Sequence, residues 1–216
     1  MRIKCIISAI CLLFGACAGR ADSVRQFFIS EPGEVFELIT QGVRAAMVTM
    51  AEDGQKIESD NLQGGKVKID SLSQNYMKVR CSEVKQVELK LLTKGTADTV
   101  IAVVETFRLP AADSRISFYN TKWQPIPLEK CLKGGMPGIA AFVKKGTPSQ
   151  VVEMITRTVA FPLIELTFGE GDSRLVATHQ LQAFLSREDY AKVQPYLQES
   201  ITYDIDKLKL KPSKQK

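Results

Sequence analysis

Histidine is almost missing from this chain: His179 is the only one in 216 residues, and Trp123 is the only tryptophan. One imidazole confines every histidine-dependent mechanism to a single position. No H-E-x-x-H pair and no D-x-D-x-D-G loop occurs, which removes those zinc and calcium sites. No G-x-S-x-G turn is present to raise a serine above a sheet. Gly64-Gly65 and Gly134-Gly135 lack the lysine of a phosphate cradle and read as turns. Ser82-Glu83-Val84-Lys85 has the spacing of an S-x-x-K pair, but it lies between two strand patterns, where that spacing does not bring the groups together. No S-D-N accompanies it, and Lys94-Gly95-Thr96 is not the K-T-G partner strand. No cofactor is expected.

Cysteine and net charge also shrink on inspection. Met1-Arg2-Ile3-Lys4 is a short cationic start, followed by an apolar run from Cys5 to Ala18 that is too short to span a bilayer. Small residues and the polar Asp22-Ser23 come next. This is the layout of a secretory leader over residues 1–21, with Ala16-Cys17-Ala18 and Gly19-Arg20-Ala21 equally suited to cleavage. Phe14-Gly15-Ala16-Cys17 offers a second processing route, with a lipid anchor at Cys17. Only Cys81 and Cys131 belong to the mature chain, either as one disulfide in an oxidising compartment or as buried thiols. Removing Arg2, Lys4 and Arg20 takes the 29 basic residues to 26, against 24 acidic ones. Such a balance, in an exported chain, disfavours nucleic acid as a partner.

The mature chain changes period along its length. Val35, Phe36, Leu38, Ile39, Val43, Ala46, Met47 and Met50 recur at helical spacing, predicting helix over 30–52, whole or broken at Gly42. From Lys66 the period becomes two: Val67 and Ile69, then Met77, Val79 and Cys81, then Val87, Leu89 and Leu91 alternate with polar residues. Half-buried antiparallel strands with one wet face follow from that pattern. Val100 to Val104 is continuously apolar and predicts a central strand covered on both faces. Ile116 and Phe118 mark the next strand.

The Gly/Pro-rich stretch 126–148 reads as a connection. A second half, 149–206, holds a weak helix from Pro148, a hairpin over 163–183, a helix capped by Ser186 and running to Leu197, and a last strand at Ile201, Tyr203 and Ile205. Residues 207–216 read as a basic, solvated tail. Helices first and a strand meander after them give an α+β fold with an antiparallel sheet. The echo of Asp113-Ser114-Arg115 in Asp172-Ser173-Arg174 raises a second arrangement, two related helix-plus-sheet halves.

His179 shares a strand face with Leu175, Ala177 and Leu181, the place of a packed core histidine. Glu105 and Glu165 each interrupt an apolar strand, where a buried acid needs a partner. Asp113 to Pro125 is read as a turn, a strand and an aromatic-bearing bend. Phe118 enters the core, Tyr119 lies on the other face, and Trp123 either covers a core edge or offers a contact surface.

Three runs, Val87-Glu88-Leu89-Lys90-Leu91-Leu92, Asp113-Ser114-Arg115-Ile116-Ser117-Phe118-Tyr119 and Trp123-Gln124-Pro125, resemble an uncharacterised family of exported proteins from anaerobic gut-type bacteria, known as a domain of unknown function. Weaker similarity covers 22–54 and 187–203, while 129–160 departs from the pattern. The resemblance implies a leader and an α+β domain in the cell envelope, periplasmic or at the outer surface, and brings no catalytic residues with it. The expected function is a non-enzymatic binding or scaffolding domain for an envelope protein or glycan, with Arg115, Tyr119, Lys122 and Trp123 as its contact residues. The alternatives are an envelope hydrolase using His179 or paired carboxylates, and an inhibitor-like protein acting through its sheet face.

Overall fold

The computed structural model describes residues 23–213 apart from 56, 95–97 and 172–173. The expected leader, Cys17 and the Asp172-Ser173 part of the echo therefore lie outside the described residues. The first element is helix α1 (Val24–Ser30), opened by a capping box in which Ser23 and Gln26 satisfy each other's backbone N–H groups. Helix α2 (Gln41–Glu52) follows with Thr40 as its cap. The helix expected over 30–52 is thus replaced by two helices parted at 31–40, and Gly42 sits inside α2.

The break belongs to Glu31. Its carboxylate turns forward to accept the N–H groups of Gly33, Glu34 and Val35 at 2.8–2.9 Å. Arg44 from α2 reaches back to pair with Glu31 at 3.5 Å and donates to the carbonyls of Ile39, Ile29 and Glu31 itself. Pro32, with no N–H to donate, completes the departure from helix.

Seven strands then run as a meander: β1 (Glu58–Asp60), β2 (Lys66–Leu72), β3 (Tyr76–Arg80), β4 (Lys85–Lys94), β5 (Asp98–Phe107), β6 (Asp113–Tyr119) and β7 (Pro125–Ile126). Each pairs antiparallel with the next, so spatial order equals chain order. After short helix α3 (Leu128–Cys131), a 3-10 turn at Ile139–Phe142 and helix α4 (Ser149–Thr158) come β8 (Ile164–Phe168) and β9 (Arg174–His179). Helices α5 (Leu181–Phe184) and α6 (Arg187–Val193) lead to β10 (Ser200–Asp206) and β11 (Lys209–Pro212). These last four strands form a second antiparallel sheet ordered β11-β10-β9-β8. The fold is α+β, as the periodicity implies.

The large sheet separates two cores. On one face α1, α2 and the segment between them lay Phe27, Phe28, Phe36 and Met47 over Val67, Met77, Leu89, Ile101 and Val103. On the other, Leu92, Ala102, Val104, Ile116 and Phe118 meet Phe142, Ile155, Leu166, Phe168, Leu175 and Leu210. Strand β5 supplies both cores, the two-sided burial its apolar run predicts. Residues 126–148 carry Leu132 and Phe142, both fully buried, into the second core.

Three expectations change. The face of β4 expected to be wet is closed, and Gln86, Glu88 and Lys90 are all buried. The cause is β8, an edge strand whose outward N–H groups are met by side chains of the large sheet. Asp113 accepts from Ile164 at 3.1 Å, Ser114 from Leu166 at 2.9 Å and Glu88 from Phe168 at 2.8 Å. Polar residues on that face are therefore partners of a backbone, not of water. The helix after Ser186 ends at Val193, because Pro195 enters a 3-10 turn at Gln194–Tyr196. The solvated tail is shorter than expected, since Leu210 in β11 is fully buried against the second core.

Candidate functional site

His179 ends β9 with 8% of its surface exposed, its ring edge-on to Phe142 at 5.4 Å. Its Nδ1 has no hydrogen-bond partner, and burial pushes its pKa below the ordinary imidazole value. Among the described residues, no acid or hydroxyl is joined to its ring. Glu105 and Glu165 lie on opposite sides of the large sheet. Glu165, on β8, pairs with Arg108 at 3.3 Å and accepts from Gln180 at 3.2 Å. Ser82 and Lys85 do meet, but through the Lys85 backbone N–H, which donates to Ser82 Oγ at 3.0 Å. The Lys85 ammonium points elsewhere. Among the described residues, no three His, Cys, Asp or Glu side chains converge as a metal site.

The geometry of Glu105 leads instead to the residues singled out on β6. Glu105 stands opposite Arg115 in the β5–β6 register. Its Oε2 accepts from both Arg115 Nε at 3.0 Å and Nη2 at 2.5 Å, the two donors of one guanidinium edge converging on a single oxygen. Its Oε1 lies 3.2 Å from Lys85 Nζ, which also donates to Glu37 at 2.7 Å and to the carbonyl of Val35 at 2.9 Å. Burial opposes the charge on Lys85, yet Glu37 and Glu105 together hold its pKa above the ordinary lysine value. Its hydrogen bond to Glu105 likewise raises Arg115. The result is a charge ladder, Glu37–Lys85–Glu105–Arg115. Its middle rungs are 6% and 4% exposed in their side chains, and the arginine at its end is 68% exposed.

Further along the same face of β6 comes Tyr119, half-buried, with its phenol pKa raised by burial and by Glu105 and Glu34. The β6–β7 turn brings Trp123 onto it, ring centroids 5.2 Å apart and planes at 55°. Trp123 adopts φ 59°, a left-handed conformation that bulky residues rarely take. Asn120 holds the turn in that shape, its Oδ1 accepting from Lys122 and Gln124 backbone N–H groups at 2.9 and 3.0 Å. The indole Nε1 donates to Ser30 Oγ at 3.4 Å, tying the hairpin to the end of α1. Lys122 is exposed at the tip.

The four predicted contact residues thus fall on one strand-and-hairpin rim, with Tyr119 and Trp123 in contact and Arg115 two strand repeats from Tyr119. Trp123 serves as an edge cover and as part of an open surface at once. Sequence reading missed Glu37, Lys85 and Ser30. The only signal for the first two was Glu105 itself, an acid in an apolar strand that required a cation.

Comparison with known proteins adds a family and a fold. The family described as "Protein of unknown function (DUF3256)" matches residues 16–210. No curated protein matches the chain. A domain of an uncharacterized protein from Porphyromonas gingivalis W83 has a similar solved structure, with a TM-score of 0.76 at 22% identity. The match covers 88% of this chain and 98% of that one, and it establishes the shared fold.

Proposed function

The chain belongs to the DUF3256 family, and from that premise and the geometry of the β6–β7 rim we propose that it is an exported, non-catalytic binding domain of the cell envelope. The observation that carries this reading is Trp123. A bulky aromatic is kept in a left-handed turn where glycine or asparagine would sit without strain, at a cost of order 1–3 kcal/mol. Its ring lies tilted against Tyr119, within reach of solvent, and the same face of β6 carries Arg115 held by Glu105. Rigid aromatics and a pre-aimed guanidinium are the groups that dominate contact surfaces. The occupant is an envelope protein or glycan: either presents the flat apolar faces and hydrogen-bond acceptors that such a rim can hold.

The cationic, apolar and small-residue segments of 1–21 support export, and Cys17 supports a lipid-anchored form. Intact-mass measurement of the processed protein reads both directly. For the rim, the mature domain, Trp123→Ala and Arg115→Glu are each used to capture bound species from envelope extract, with folding checked by circular dichroism. The expected result is a species retained by the natural sequence and lost from both folded variants. Equal retention by all three would reject the rim.

A further inference from the structure

Three turns at one end of the large sheet carry bulky apolar side chains in water. Leu62 in the β1–β2 turn is 66% exposed, Val84 in the β3–β4 turn 38% and Leu109 in the β5–β6 turn 72%. Between the first two turns the sheet opens. β2 and β3 are paired only as far as Lys68 and Arg80, and beyond that rung their chains diverge into a groove of about 900 Å³. This end is remote from the β6–β7 turn, which belongs to the opposite set of connections.

The walls of the groove are preformed. Asn61, 8% exposed, accepts from the N–H groups of Gln63 and Gly65 at 2.9 Å and donates across the gap to the Cys81 carbonyl at 3.0 Å. A Cβ at Gly65 would come within 3.1 Å of Asn61 Nδ2, so the turn is closed as tightly as glycine allows. On the far wall Arg108 N–H donates to the Val84 carbonyl at 3.0 Å. Little ordering remains for a ligand to impose.

The lining is basic. Lys66, Arg80, Lys85 and Arg108 contribute to it against a single acid, Glu83. Lys85 spends its charge on the ladder described above. The other three pair with Asp60 at 2.6 Å, Asp70 at 3.0 Å and Glu165 at 3.3 Å, and their side chains are 64%, 55% and 42% exposed. Ion pairs this open contribute about 0–1 kcal/mol, so the cations can turn to a new carboxylate at small cost.

We infer that this groove docks an extended acidic segment of a partner protein, whose carboxylates meet Lys66, Arg80 and Arg108 and whose bulky apolar side chain rests between Leu62 and Val84, on the two turns that flank the groove. A bilayer fits the geometry less well. Exposed Glu83 stands beside Val84 where lipid headgroups would lie, and the nearby cations already face carboxylates. The inference is independent of the β6–β7 rim.

The test uses three synthetic decapeptides, each with one central leucine: one otherwise of Asp, Glu and Gly, one with Lys in place of the acids, and one with Ser in their place. Binding to the folded domain is read by titration calorimetry at low and high salt. The acidic peptide is expected to bind at least about tenfold more tightly than the other two, and to weaken with salt. Leu62→Ser and Arg80→Glu, both at exposed positions, should each weaken it by about tenfold or more with unchanged melting temperature. Met136→Ser, an exposed apolar position outside the groove, should leave it unaltered. Equal binding of all three peptides, no measurable binding of the acidic one, or indifference to both groove variants overturns the proposal. Flotation of the domain with phosphatidylglycerol vesicles, lost in Leu62→Ser, would also overturn it in favour of a membrane contact.

Discussion

Replacing Glu31 by alanine would leave three backbone N–H groups and the Arg44 guanidinium without their carboxylate, all in a region where the Glu31 and Arg44 side chains are 0% and 3% exposed. Removing one partner of a buried pair typically costs about 3–5 kcal/mol. The Glu31→Ala midpoint in chemical denaturation should fall accordingly, and a change under about 1 kcal/mol would show that the turn holds without it. His179 makes a different prediction at the same scale. Its folded pKa lies below its unfolded one, because burial disfavours the imidazolium. Its contribution to stability is therefore complete above the unfolded value, about 6.5, and is lost as pH falls through the folded value. By denaturation midpoint, the natural chain should lose stability relative to His179→Leu as pH drops below that range, and parallel curves would remove His179 as the cause.

At the scale of elements, β8 shows what capping by side chains is worth. Ser114 Oγ accepts from Leu166 and shares a 2.8 Å hydrogen bond with Thr106. Ser114→Ala strands a buried N–H, so stability should fall by about 1–3 kcal/mol and exchange of the Leu166 amide should quicken ahead of its neighbours. Unchanged exchange would mean that another acceptor serves that group. The same strand explains which elements the sequence disclosed. Where one neighbour fixes a pattern, as in Val67 and Ile69 or in the apolar run of β5, periodicity read the strand and its buried faces correctly. Tyr119 and Trp123 were singled out by residue type, but their ring contact across the short turn was not read from the sequence. Glu88 and Lys90 look like solvent-facing residues until β8 arrives from some eighty positions away in the chain. Their partner is a backbone, and backbones leave no signature in composition. The break before α2 was missed for a related reason: a capping carboxylate and a distant arginine outweigh helical spacing at Val35 to Ile39.

For the whole molecule, the second core is built jointly by β3–β6 and by everything after residue 126. A fragment ending at residue 125 would expose Leu92, Ala102, Ile116 and Phe118 on one sheet face. It should aggregate or bind hydrophobic dye, while the chain with both cores unfolds in one transition seen alike by far-UV and near-UV probes. A soluble, cooperatively folded fragment would disprove that dependence. The cysteines report the same partition. Cys81 belongs to the helix-side core and Cys131 to the other, both free and buried, with burial pushing the Cys81 thiol up to about 12. Neither should react with maleimide until the chain unfolds, and reducing agent should leave the melting temperature unchanged; native labelling at either position would contradict the two-core packing.

Because the only indole in the chain sits on the β6–β7 rim, in contact with Tyr119 and hydrogen-bonded to Ser30, the protein carries a built-in optical reporter at that location. Its ultraviolet emission comes from one chromophore with no background from a second. A shift in colour or a change in quenching by iodide would then register anything that settles there, in unlabelled material and without an engineered probe.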